Sequence, residues 1–218
     1  MAVGILSIGM MLVATMFPAA IYLTTVASER TMAAIVADEA FAKIQLYGLQ
    51  TYPADINDFE KICNTIDPNE FSYPPVDPCT SNRQYYWSAL CKKTDPNEYL
   101  VTVFVARKTN PSHTYYHGAD SGNRPKAVLF GVTVPADQNE LQISDANARY
   151  VNPPTTILDE ATCKIYRVIE RKIAEPNNVV LDRAWEDETS SASIWLVPPP
   201  LSGGKNADIE VFQRIIRF

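Results

Sequence analysis

Hydrophobic and polar positions follow two regimes along the first 50 residues. Residues 1–28 carry no charged side chain, and Glu29 is the first. A helix made from that stretch is apolar on every side. At 1.5 Å per residue it reaches about 40 Å, more than a hydrocarbon core of about 30 Å. A cleaved signal peptide fits less well: no Lys or Arg precedes the run, which is about twice as long as an ordinary apolar signal segment. Beyond Glu29 the pattern becomes periodic. Ala33, Val36, Ala37, Ala40, Phe41, Ile44 and Tyr47 recur at spacings of three and four, which is one helical face. Ile35 and Leu46 lie on a second, smaller apolar strip, and Glu39 and Lys43 form an i,i+4 pair in the favourable order. Gly48 supplies a stop. The pattern predicts one helix over residues 1–49, apolar over 1–28 and amphipathic over 29–49. Ala33, Val36, Ala37, Ala40, Phe41 and Ile44 are expected to face the rest of the protein. Pro18 lies within the first half, where its missing donor should kink or locally melt the helix.

Residues 50–83 are Pro-rich and irregular, with one short helix. Asn57 followed by Glu60 resembles a capping box, and the helix it opens should end near Ile66. Asp67-Pro68-Asn69-Glu70 recurs as Asp95-Pro96-Asn97-Glu98. Asp can bond the backbone ahead and Pro presets φ, so both read as type I turns. Strand patterns then dominate residues 84–218. Gln84–Cys91 and Glu98–Arg107 should form a hairpin. Further candidates are Ala127–Val134, Glu140–Ile143, Cys163–Lys172, Asn178–Asp182, Ser193–Val197 and Ile209–Phe218, all rich in β-branched and aromatic residues. Strands in succession without helices between them predict an antiparallel sheet. The expected fold is α+β: a long N-terminal helix, partly transmembrane, packed on an antiparallel β-sheet head.

Composition narrows the function. Net charge is −6, of which the first 50 residues hold −1, and no block of Lys and Arg stands out. No nucleic acid is expected as a partner. Sixteen Pro against eight Gly favour rigid, turn-rich loops over flexible linkers. Cys63, Cys79, Cys91 and Cys163 all lie outside the helix, and no CxxC pair exists, so zinc is poorly supported. An apolar start and loop-rich cysteines suit an oxidising compartment. Four cysteines allow three pairings; two disulfides are expected, with Cys63–Cys79 across the Pro-rich segment favoured and Cys91–Cys163 between two strand ends then following by elimination.

Motifs of catalysis are missing. There is no GxSxG, HExxH or GxGxxG, and Ser202-Gly203-Gly204-Lys205 lacks the spacing of a phosphate loop. His113 and His117 stand four apart among Pro111, Gly118 and Gly122, which disfavour a helical metal pair. The loop around Asp120, Ser121 and Asn123 does not match an EF-hand. No enzyme activity, cofactor or metal is expected. Tyr115-Tyr116 offers a carbohydrate or partner surface on the loop from Thr109 to Pro125.

Ala2-Val3-Gly4-Ile5-Leu6-Ser7-Ile8-Gly9-Met10-Met11-Leu12 resembles the start of a type IV pilin or pseudopilin. So do the interrupting Pro18, the first charges near residue 29 and the Ala-rich amphipathic half. The likeness covers about the first 50 residues. Family membership implies a cell-surface filament built from copies of the same chain, its helices buried in the filament core and its heads outside. Gly4, Gly9 and Pro18 would be the core-packing positions. It also implies anchoring in the inner membrane before assembly, with the lipid bilayer and the inner-membrane assembly machinery as partners. The family's Gly–Phe-type cleavage site and the glutamate beyond it are absent, so the resemblance expects a short piece carrying them upstream of Met1. Alternative roles are a minor pilin, a secretion pseudopilin, or a single-pass membrane-anchored adhesin or binding module.

Overall fold

The computed structural model describes residues 2–49, 55–63, 66–74, 84–118, 120–186 and 189–218, without the side chains of residues 2–9, 12 and 13. Helix α1 (Ala2–Tyr47) is one continuous element of 46 residues and runs on through Pro18. Gly48 ends it in a left-handed conformation (φ 68°), with its N–H on the Ile44 carbonyl at 3.0 Å. Next come β1 (Asn57–Asp58), α2 (Phe59–Ile62), a 3₁₀ turn (Pro68–Phe71) and β2 (Ser72–Tyr73). The short helix is capped by Asp58, one residue later than the capping-box reading, and ends four residues before Ile66. Asp67 opens the 3₁₀ turn by accepting from the Asn69 N–H at 2.8 Å, the Asx chemistry that its Asp-Pro-Asn sequence encodes.

Strands β3 (Tyr85–Asp95) and β4 (Glu98–Arg107) form a hairpin across Pro96 and Asn97. The C-terminal strand β13 (Asp208–Arg217) pairs antiparallel with β4, while β1 and β2 lie along the outer edge of β3. The sheet order is β1-β3-β4-β13, with β2 also on β3. Strand β4 shows little hydrophobic alternation because both of its faces are covered. Trp87, Ala89, Cys91, Val101, Val103 and Val105 point to one side, where they form a core with Ala33, Val36, Ala37, Ala40, Phe41 and Ile44 of α1. Leu90, Phe104 and Ala106 point to the other side and meet Leu158, Cys163, Trp195 and Val197.

That second covering layer is a closed barrel. Its strands are β7 (Val128–Thr133), β8 (Glu140–Ile143), β9 (Thr156–Asp159), β10 (Ile165–Arg171), β11 (Asn178–Leu181) and β12 (Ser191–Leu196). They close in the order β10-β11-β8-β7-β12-β9. Phe130, Val132, Leu141, Ile143, Ile157, Val168, Val179 and Ile194 fill the interior, with Tyr166 stacked on Trp185 at 4.6 Å. A two-stranded ribbon, β5 (Tyr115–Tyr116) with β6 (Ser121–Gly122), and the short helix α3 (Asp145–Ala148) complete the chain.

The expected α+β, pilin-like fold is overturned. The chain is mostly β, and half of what the pattern assigned to a single head sheet is a closed barrel. Strand periodicity identifies strands but not their partners, and the closure depends on β9. That strand is buried along its whole length, so it carries no alternation, and it is only four residues long. The partly transmembrane reading of α1 is corrected as well: among the described residues, no helix is long and apolar enough to cross a membrane.

Candidate assembly interface

Helix α1 changes character along its length. Ala33, Val36, Ala40 and Ile44 are fully buried, and Ala37 and Phe41 nearly so, against the sheet. The small residues let the helix lie close to β3, β4 and β13, while Phe41 fills the gap beneath the Arg214 guanidinium, 4.6 Å from its ring centroid. Tyr47, on the same periodic face, is exposed at the helix end, as are Ile35 and Leu46 of the second strip.

Toward the N-terminus the helix leaves the head. Met10, Met11, Met16, Phe17, Ile21, Tyr22 and Leu23 are each 62–72% exposed. A continuous apolar arm of this kind is the feature that marks an interaction surface, because single exposed hydrophobics are ordinary and contiguous ones are not. Gly4 and Gly9 lie on its helical backbone; the side chains around them fall outside the described residues. Pro18 sits among the exposed residues of the arm.

The neck between arm and seam is held by charge. The Glu29 carboxylate accepts from Arg107 of β4 at 2.5 Å, with Lys205 of the last loop at 3.8 Å. Arg30 meets Glu210 at 3.5 Å, and Asp38 meets Arg214 at 3.0 Å, both partners on β13. Deeper along the helix, the Lys43 ammonium lies 2.7 Å from Glu39 and 2.8 Å from Glu70 of the 3₁₀ turn. Burial opposes its charge, but the two carboxylates outweigh burial and hold its pKa above the ordinary lysine range. Sequence reading found the Glu39–Lys43 pair from its spacing alone. Nothing local in the sequence marks Arg107, Glu70, Glu210 or Arg214 as ion-pair partners of the helix, since each lies far from it along the chain.

Cys91 and Cys163 do not pair as expected. Cys91 and Cys163 are buried, free thiols. Cys91 lies in the helix-side core and Cys163 in the barrel-side core, so the sheet itself separates them. Neighbouring side chains on a strand alternate between faces, and Cys91 shares the face of Ala89 rather than that of Leu90. Cys79, and with it the expected Cys63–Cys79 bond, lies outside the described residues.

The aromatic loop is not a free surface either. Tyr115 is fully buried, bridged to Pro200, and burial pushes its phenol up to about 12. Tyr116 stacks on Tyr150 with ring centroids 4.7 Å apart. His117 Nε2 donates a hydrogen bond to the Arg124 carbonyl at 2.8 Å, so Nε2 carries the proton. Its ring fills the space where any Cβ at Gly122 would lie, 2.2 Å from Cε1. His113 instead contacts Thr109 at 3.2 Å. Among the described residues, no group of three or more His, Cys, Asp or Glu could hold a metal ion.

A cleft of about 860 Å³ opens on the barrel wall, lined by Thr133, Gln142, Ser144, Asp145, Asp159 and Asn177 among others. It presents hydroxyls, amides and carboxylates. Asp159 is committed to the turn that follows it, accepting from the Ala161 and Thr162 N–H groups at 3.2 and 3.0 Å. Compared with known protein families and with curated proteins, the chain finds no match.

Proposed function

We propose that this chain is a structural subunit of a type IV pilus-like filament at the cell surface, assembling with copies of itself through the N-terminal helix. The observation that carries the reading is the split character of α1. Its outer half is fixed to the head by a buried seam and a charged neck, while Met10, Met11, Met16, Phe17, Ile21, Tyr22 and Leu23 project an apolar surface into solvent. A rigid arm of this kind favours association, because copies of it bury apolar area at about 25 cal/mol per Å² without ordering a flexible segment first. The exposed strip of Ile35 and Leu46 continues that surface onto the side of the helix turned away from its own head. Head-to-tail contacts that do not close a ring generate helical filaments. The likeness to type IV pilins rests on the helix alone and does not extend to the head, whose barrel is a different architecture.

Electron microscopy and sedimentation of the full chain test this. Long filaments from the purified chain support a main subunit. Short stubs that lengthen only with another pilin present assign a minor or pseudopilin role. A monomer that instead partitions onto lipid vesicles, and never self-associates, overturns the proposal in favour of a tethered binding module.

A further inference from the structure

We propose that the C-terminal strand β13 is a docking edge where a second copy of this chain pairs antiparallel, strand against strand, about a two-fold axis at Phe212. Strand β13 ends the sheet order β1-β3-β4-β13, and among the described residues no strand pairs with its outer side. Its free backbone groups follow from the ladder. The Phe218 N–H donates to the Asn97 carbonyl at 3.2 Å, and the Arg107 N–H to the Ala207 carbonyl at 2.7 Å. Arg217 lies opposite Glu98 and Phe212 opposite Val103. In that register the N–H and C=O of Glu210, Phe212, Arg214 and Ile216 turn toward β4. Antiparallel pairs alternate, so those of Val211, Gln213, Ile215 and Arg217 point outward. Gln213, Arg214, Ile215 and Arg217 are exposed, Ile215 by 57%. The strand has ten residues and contains no Pro or Lys, which commonly guard such an edge. Its one irregularity lies at the start, between Asp208 and Glu210.

The charges of the strand choose the occupant. Asp208 and Glu210 precede Phe212, and Arg214 and Arg217 follow it, so the strand complements its own reverse. Outward groups must meet outward groups, which lets the register change only in steps of two. One register sets Phe212 opposite itself and Glu210 opposite Arg214 of the second copy, twice by symmetry. A shift of two residues either way breaks both pairs. Main-chain bonds between Val211 and Gln213 carry the pairing, and opposite charges facing across the ladder favour it. An unrelated extended segment would use the same backbone groups but would not account for this charge order. The side chains are already placed: Glu210 and Arg214 project to the α1 side, where they meet Arg30 at 3.5 Å and Asp38 at 3.0 Å. Across the ladder these join into one run of alternating sign, from Arg30 and Glu210 to Arg214 and Asp38 of the second copy. The contact reverses the second chain in the plane of the sheet and does not rest on the filament reading.

The test is amide hydrogen exchange of the full chain over a dilution series, read residue by residue by mass spectrometry. The outward N–H groups of Val211 and Gln213 should exchange about tenfold more slowly in concentrated than in dilute protein. Glu210→Arg and Arg214→Glu each set like charges opposite each other, and each should abolish that slowing. An equimolar mixture of the two variants puts opposite charges back at both positions and should recover it. The double variant Glu210→Arg/Arg214→Glu should recover it alone, which a purely structural role of either residue would not produce. Wild-type exchange at Val211 and Gln213 that does not vary with concentration overturns the proposal, whatever the variants do and whether or not the arms associate. Slowing retained in either single variant, or absent from both the mixture and the double variant, overturns the two-fold register.

Discussion

Lys43 and Trp87 donate to the same atom. The Lys43 ammonium and the Trp87 indole N–H each lie 3.0 Å from the Glu70 carbonyl oxygen. One residue of a 3₁₀ turn thereby joins the amphipathic half of α1 to the central hairpin, and Phe71 follows it into the core, 4.7 Å from the Trp87 ring. Replacing Lys43 with Met removes a charge-assisted contact to Glu39 and Glu70 together with this shared bond. The expected loss is about 1–3 kcal/mol, between an exposed pair and a hydrogen-bonded charge. Its pH dependence has a definite sign. The folded-state pKa of Lys43 is raised, so its contribution is complete below the unfolded value near 10.5 and is lost as pH rises through the folded value above it. Urea denaturation between pH 9 and 12 should show the wild type losing more stability than Lys43→Met. Parallel curves would remove Lys43 from the seam.

Phe41 tests the seam itself. Its ring is almost completely buried between the sheet and Arg214. Phe41→Ala should cost about 3–5 kcal/mol, the transfer of a ring plus the cavity it leaves. A loss within about 0.5 kcal/mol, the scale of a surface change, would show that α1 is not fixed to the head in solution.

How far the sequence reveals this arrangement depends on how local each signal is. The six seam residues are legible because a 3.6-residue period repeats over consecutive turns of α1. The β3–β4 hairpin is legible because Asp95-Pro96-Asn97-Glu98 marks its turn. The barrel is not, since its closure rests on β9, whose four buried residues carry no period, and on pairings such as Trp195 with Leu158 across long loops. The Cys91–Cys163 expectation failed for a related reason. Sequence places both near strand ends, but only the register shows that they face opposite sides of one sheet. Tyr115 and Tyr116 misled because an aromatic pair reads alike whether it decorates a loop or fills a core.

Asp208 joins the C-terminal strand to the barrel, accepting the Thr156 N–H at 3.2 Å on one oxygen. Its other oxygen is buried and has no hydrogen-bond partner. Burial raises its pKa to about 6, with Glu210 adding to the rise, against the lowering from Thr156 and Arg167. A raised carboxyl favours the folded state when protonated. The stabilising contribution is therefore complete below the unfolded value of about 3.8 and is lost as pH climbs through about 6. The difference is on the order of 3 kcal/mol. Asp208→Asn should flatten the stability profile between pH 4 and 7 and gain stability over the wild type at pH 7. A mutant less stable than wild type at pH 7, with an unchanged slope, would show that the ionised form is tolerated.

The arm separates assembly from folding. Phe17 is 62% exposed and Ile21 64% exposed, and neither belongs to a core cluster of the head. Phe17→Glu and Ile21→Glu should therefore leave thermal unfolding of the head within about 0.5 kcal/mol of wild type. In a filament the same positions would be enclosed by neighbouring helices, where an unpaired carboxylate costs several kcal/mol. Sedimentation of the full chain should then show filaments in the wild type and a monomer in either variant. Gly9→Leu tests the same surface by bulk rather than charge, since a small residue permits close helix approach and Leu does not. Deleting the loop from Thr109 to Pro125 is a poor comparison, because Tyr115 and Tyr116 are built into the cores and its loss would damage the fold. Normal filaments from Phe17→Glu, Ile21→Glu and Gly9→Leu together would move the assembly contacts off the helix and onto the head.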